Sequence, residues 1–177
     1  HTLSENQTIR LMIRRFLLIC VIALTGGCGG GYSFTGASIS PDVKTVSVAY
    51  FENYAPLINP TLSQVVTEKL KDIFLVQTSL EVVQMDGDLQ FEGAIVDYNV
   101  RPLAIQADEQ AAQNRLTISV AVTYTNTNDP EKDYESRFTR FGDFDSNEDL
   151  ASVEEELVEQ ITTELVQDIF NKAVVNW

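Results

Sequence analysis

Leu116-Thr117-Ile118-Ser119-Val120-Ala121-Val122-Thr123-Tyr124 alternates without a break between a large apolar side chain and a small or polar one. A period of two marks a half-buried strand, with the aliphatic row turned inward and the small, polar row turned to water. Downstream, Asn126 to Lys132 reads as a hairpin loop, and Tyr134, Ser136, Phe138 and Arg140 continue as an outgoing strand. Upstream, Leu89 to Val100 forms a strand whose apolar parity changes, with Leu89, Phe91 and Ile95 on one face and Val96, Tyr98 and Val100 on the other. That slip predicts a bulge between Gly93 and Val96. Met85-Asp86-Gly87-Asp88, with Asp-Gly at its centre, predicts a hairpin turn joining this strand to a short one over Leu80 to Val83.

Two helices flank these strands. Asn59-Pro60 reads as an N-cap and a first-turn proline, ahead of Leu62, Val65, Val66, Leu70, Ile73 and Phe74 at helical spacing to about Leu75. Ser152 and Glu155 read as a capping box ahead of Val153, Leu157, Ile161, Leu165 and Ile169, with Glu154-Glu155-Glu156 in the first turn, where carboxylates meet the positive end of the helix dipole. A first strand, Val46, Val48 and Tyr50 alternating with Thr45, Ser47 and Ala49, precedes the first helix, and Asn53 to Pro56 reads as a turn. The order β-α-β-β-β-β-α predicts an α+β fold: two helices packed on one face of a small mixed, mostly antiparallel sheet. The first strand joins its neighbour in parallel through the first helix.

Composition narrows the chemistry. The 177 residues carry 26 Asp and Glu against 12 Lys and Arg, a formal charge of −14, which opposes nucleic-acid binding. The one histidine is His1, and the two cysteines, Cys20 and Cys28, both precede the folded region, so no metal, cofactor or catalytic residue is expected. Asp86-Gly87-Asp88 is a fragment of a calcium loop without its other ligands and is read as turn chemistry.

The N-terminus assigns a compartment. Residues 1–11 read as an upstream extension and residues 12–27 as a signal peptide: Met12, then Arg14-Arg15, nine apolar residues from Phe16 to Leu24, and Thr25-Gly26-Gly27 before Cys28. Nine helical residues reach about 14 Å, half a bilayer core. Leu24 to Cys28 resembles the lipobox of bacterial lipoproteins, with leucine four places before the cysteine rather than three, making Cys28 the acylated anchor. Several acyl chains give stable membrane attachment where one is marginal. The resemblance to such lipoproteins implies, through their sorting rule, that Gly29 in place of aspartate favours the outer membrane. Residues 28–40 form a tether and 41–177 a single domain. Loss of the leader removes three basic side chains and one acidic one, which deepens the negative balance.

Cys28 to Ile39, Val43-Lys44-Thr45-Val46-Ser47-Val48, Asn59-Pro60-Thr61-Leu62-Ser63, Gly87 to Gly93, Asn114-Arg115-Leu116-Thr117 and Asp168 to Trp177, taken in this order, resemble the LptE family of lipopolysaccharide-assembly lipoproteins. The resemblance implies two helices against a small mixed sheet. It also implies a non-catalytic outer-membrane lipoprotein, lipid-anchored and facing the periplasm. Such a protein plugs and helps assemble an LptD-type β-barrel and takes part in delivering lipopolysaccharide to the outer leaflet. A stand-alone lipoprotein adaptor or pilotin for another envelope machine is the alternative. A periplasmic enzyme working through Asp97 or Asp143 with a glutamate lacks a partner at fixed spacing.

Three groups of residues are candidates for contact. Cys28 is the anchor. The connection Arg101-Pro102-Leu103-Ala104-Ile105-Gln106-Ala107 presents apolar residues between Arg101 and Arg115, and either enters the barrel or folds back on its own domain. Arg115, Arg137 and Arg140 are candidates for lipopolysaccharide phosphates or carboxylates. On a strand Arg137 and Arg140 fall on opposite faces, so they do not form a joint clamp, and pairing with carboxylates of the chain itself is the competing role. Residues 129–168 hold 14 acidic and three basic side chains, so any contact with an anionic lipid is local or cation-bridged.

Overall fold

The computed structural model describes residues 39–57, 59–103 and 112–174. The strands are β1 (Thr45–Val48), β2 (Glu52–Asn53), β3 (Glu81–Val83), β4 (Leu89–Pro102), β5 (Gln113–Asn126) and β6 (Tyr134–Asp145); the helices are α1 (Leu62–Gln77) and α2 (Leu150–Val174). The sheet runs β3-β1-β4-β5-β6, and β2 adds to β4 beyond the end of β1. The pairs β1/β3, β1/β4 and β2/β4 are parallel, while the long ribbons β4/β5 and β5/β6 are antiparallel. The expected α+β class, mixed sheet and parallel first connection all hold. The two-residue β2, in a segment expected to begin a turn, is an addition.

The aliphatic row of β5 is buried as its alternation requires: Leu116, Ile118, Val120, Val122 and Tyr124 all lie under the helices. They meet Leu62, Val66, Leu70 and Phe74 of α1 and Leu157, Ile161, Leu165 and Ile169 of α2 in one core. The opposite row is less wet than expected, because Ser119 is buried and shares a hydrogen bond with Thr139 (2.8 Å). The bulge lies where the parity change placed it: the β4/β5 register jumps from Ile95 to Asp97, so Ile95 and Tyr98 both point into the core. Gly93 is where Phe51 closes on the sheet. A Cβ there would sit 2.6 Å from the Phe51 ring and 2.3 Å from the Ala121 carbonyl oxygen.

The turn at Asp86-Gly87 does not make a hairpin. β3 and β4 run in the same direction and never pair; β1 lies between them. The five residues Gln84 to Asp88 pass over β1, a step of two strand spacings or about 10 Å, within reach of five extended residues. Asp86 takes the left-handed conformation (φ 56°), whereas Gly87 does not. Glycine at 87 serves space instead: an added Cβ would lie 2.5 Å from the Ser47 nitrogen and 2.8 Å from the Val46 carbonyl carbon. Asp88 then fastens the crossover, accepting hydrogen bonds at Oδ2 from Lys44 N (2.7 Å), Thr45 N (3.0 Å) and Thr45 Oγ1 (3.0 Å). Those main-chain donors hold its carboxyl below the usual carboxylate range.

Both helix starts depart in detail from expectation. Asn59 does cap α1, its Oδ1 accepting from Thr61 N (3.0 Å) and Leu62 N (3.1 Å), although helical geometry begins at Leu62 and not at Pro60. At α2 the capping box is absent. The helix begins at Leu150, so Ser152 lies inside it and donates back to the Asp149 carbonyl. Glu154 is therefore past the first turn, where it accepts from Tyr98 Oη and from Asn59 Nδ2 (2.9 Å), joining β4 to both helix N-terminal ends. Hydrogen bonds from Asn59 to Glu154, Lys69 to Glu159 and Gln77 to Gln167 show that α1 and α2 run parallel.

Candidate functional site

Among the described residues no element covers the sheet face away from the helices, and cross-strand register decides which side chains meet on it. Arg101 stands opposite Arg115, Arg115 opposite Asp143, Thr117 opposite Phe141, and Ala121 opposite Arg137. Because Leu116 and Ile118 face the core, Arg101, Arg115, Phe141, Asp143 and Arg137 share the open face. Arg101 and Pro102 are thus the last residues of β4 and not part of a loop, as the sequence suggested; Leu103, just beyond, donates its amide to the Gln113 carbonyl (2.8 Å) and is half-buried. Ala104 and Ile105 lie outside the described residues, as does Cys28.

Arg115 is the centre of this cluster. Its Nε and Nη2 donate to the two Asp143 carboxylate oxygens at 2.7 and 2.8 Å, and its guanidinium lies 3.6 Å from the centre of the Phe141 ring. The bidentate pair raises the guanidinium pKa and holds the Asp143 carboxyl below its usual range. Phe141 is nearly half exposed, which fits a ring covering the arginine rather than filling the core. Arg101 stands exposed directly across the strand pair from this ion pair, in which Asp143 already neutralises Arg115. Among the described residues neither Arg101 nor Arg137 forms an ion pair.

Arg137 lies six residues along from Arg115 in β5 register, about 20 Å away. It borders a shallow depression over Gly93, Ala94 and Ala121, with Thr123 and Glu135 on the rim. Arg140 is on the other face, as the alternation required, and its expected anion is internal: Nε and Nη2 donate to Asp168 of α2 at 2.6 and 2.7 Å, and Glu164 is nearby. For Arg140 the pairing within the chain prevails, and it ties β6 to α2. The structure therefore brings Arg101 and Arg115 together, leaves Arg137 apart and assigns Arg140 to the scaffold. Phe141 and Asp143 were not singled out as partners of Arg115, although their register opposite Leu116's neighbours follows once the β5/β6 hairpin is known.

Among the described residues no helix is long and apolar enough to cross a membrane, and no group of three or more His, Cys, Asp or Glu side chains is placed to hold a metal ion.

Among solved structures the chain is similar to a minor lipoprotein from Acinetobacter baumannii (12% identity, 73% of this chain and 91% of that one covered, TM-score 0.49). It is also similar to a lipoprotein B from Nitrosomonas europaea (20% identity, 82% and 88% covered, TM-score 0.48) and to the rare lipoprotein B from Shewanella oneidensis (12% identity, 72% and 92% covered, TM-score 0.46). No curated protein sequence matches significantly. The family profile described as LptE, lipopolysaccharide-assembly, matches residues 43–173. That span takes in all six strands, α1 and all but the last residue of α2, and on it the chain belongs to the LptE family of lipopolysaccharide-assembly proteins.

Proposed function

We propose that this chain is an acylated outer-membrane lipoprotein that seats in an LptD-type β-barrel, helps that barrel assemble and assists delivery of lipopolysaccharide, with no bond-making step of its own. The family match carries the reading. Within it, the free end of the β4/β5 ribbon is the barrel-facing element: Leu103 leads into the connecting segment that contains Ala104 and Ile105, and Arg101 and Arg115 stand at its base on the open face. Cys28 supplies the membrane attachment on the periplasmic side. Arg101, which forms no ion pair among the described residues, offers its guanidinium to an anionic lipid group beside Arg115; Arg137 is a second, separate contact. Arg140 is withdrawn from this role by its pairing with Asp168.

The test is co-purification from membranes of the full chain carrying Leu103→Asp and Ile105→Asp. Loss of the barrel from the eluate is the expected result, and an undiminished barrel band would remove the ribbon end from the interface. Recovery of a different envelope machine with wild-type chain would favour an adaptor or pilotin. Lipopolysaccharide binding by Arg101→Ala and Arg137→Ala, each compared with Arg140→Ala, separates lipid contact from scaffold.

A further inference from the structure

Among the described residues the sheet's open face is not the sole uncovered surface. α1 and α2 lie parallel, and the seam between them on the side away from the sheet has two depressions. The first has Val65 and Val158 at its floor with Glu154, Glu155 and Glu159 on its wall; the second has Ile73 and Val166 at its floor with Val76 at its rim. Val76, in the last turn of α1, is 82% exposed and adds an apolar rim to the second depression. Lys69 crosses between the depressions, donating to Glu159 Oε1 (2.5 Å) and Thr163 Oγ1 (2.9 Å). Residues 145–168, which include most of α2, hold nine carboxylates and no lysine or arginine. The cations that face them are Lys69 of α1, paired with Glu159, and Arg140 of β6, paired with Asp168 and near Glu164, so that among the described residues Glu155 stands at the seam without an ion pair.

We infer that the α1–α2 seam is a docking groove for a basic amphipathic helix of a protein partner. Charge complementarity fixes the sign of the partner, and the geometry fixes its form. The floor residues repeat at eight-residue intervals on both helices, Val65 to Ile73 and Val158 to Val166, about 12 Å apart at 1.5 Å per residue. A docked helix fills both depressions with two apolar side chains seven or eight positions apart and carries a small residue between them, where Lys69 passes. Its lysines or arginines belong beside Glu155 and Glu159, and because cations suit the C-terminal half of a helix, the docked helix runs antiparallel to α1 and α2 with that half against the acidic wall. This groove lies on the helix layer, opposite Arg101, Arg115 and Arg137, and is independent of the lipid and barrel reading.

The test uses the purified full chain and a labelled, alanine-rich peptide of about 18 residues, about 27 Å as a helix. It has two leucines seven positions apart and lysines confined to the C-terminal half, and is titrated by fluorescence anisotropy at physiological salt. Saturable binding is expected, weakened tenfold or more by Val76→Glu and by Glu155→Lys and unchanged by Arg137→Ala. Both seam positions are exposed in the folded chain, and a thermal melt matching wild type certifies each variant. Equal binding of a shuffled peptide of the same composition would reduce the effect to bulk acidity and overturn the groove. So would wild-type binding by both seam variants, or no saturable binding at all.

Discussion

Replacing Gly87 with alanine tests the crossover over β1 directly. The substitution carries no backbone penalty, because Gly87 is not in the left-handed region, and elsewhere it would gain about 0.4–1 kcal/mol by restricting the unfolded chain. Here the new methyl would lie 2.5 Å from Ser47 N, 2.8 Å from the Val46 carbonyl carbon and 2.9 Å from the Leu89 carbonyl oxygen. All three are main-chain atoms, and β1 is held by pairing on both sides, so the strand does not yield. The crossover must lift, which strains the Asp88 contacts with Lys44 and Thr45. Overpacking against rigid surroundings costs about 3 kcal/mol. With a urea slope of about 2 kcal/mol per molar, the midpoint falls by about 1.5 M. Gly142→Ala is the control: its Cβ would meet the end of the Leu157 side chain at 2.7 Å, which can rotate away, for a cost of about 1 kcal/mol or less. Equilibrium urea unfolding of both variants decides. Midpoints that agree within error would refute the claim that the glycine is there to let one backbone pass against another.

Tyr98→Phe removes the hydroxyl that donates to Glu154 and lowers stability by about 1 kcal/mol, readable as a shift in urea midpoint, while Asn59 still holds the carboxylate. Arg140→Ala loses the bidentate contact with Asp168 and weakens the domain by about 1 kcal/mol, without changing lipopolysaccharide binding in a direct binding assay. Asp88 and Asp143 both have folded-state pKa values below the ordinary 3.8, so their stabilisation is present above that value and is lost as pH falls through the lower folded values. Urea midpoints at pH 7 and pH 3 therefore fall for the wild type. Asp143→Asn starts lower at pH 7 and falls less; a parallel decline in the two proteins would contradict the assignment.

How far the sequence could be read depended on whether a feature was local. β5 was legible because one face is wholly buried, leaving an unbroken alternation, and the bulge was legible because it exchanged that parity between Ile95 and Tyr98. The Asp86-Gly87 turn was misread for a physical reason: the same residues serve a hairpin and a crossover, and only the presence of β1 between β3 and β4 tells them apart. The α2 start was misplaced by one turn because Ser152 and Glu155 have capping spacing, yet Leu150 can pack and so extends the helix upstream. At the candidate site, alternation correctly separated Arg137 from Arg140. The partner of Arg140, Asp168, sits 28 residues away on another element and is invisible to any local pattern. The Arg101–Arg115 opposition likewise needs the register of a ribbon whose connecting segment separates the two strands.

β1 is the first regular element among the described residues, and it is an inner strand. Parallel neighbours flank it on both sides, and its leading amides are gripped by Asp88. Tension applied through the N-terminus therefore runs along β1 and loads its hydrogen bonds in shear, many at once, rather than peeling them singly as at a frayed edge. A domain tugged from that end resists first at the middle of its sheet and not at an edge.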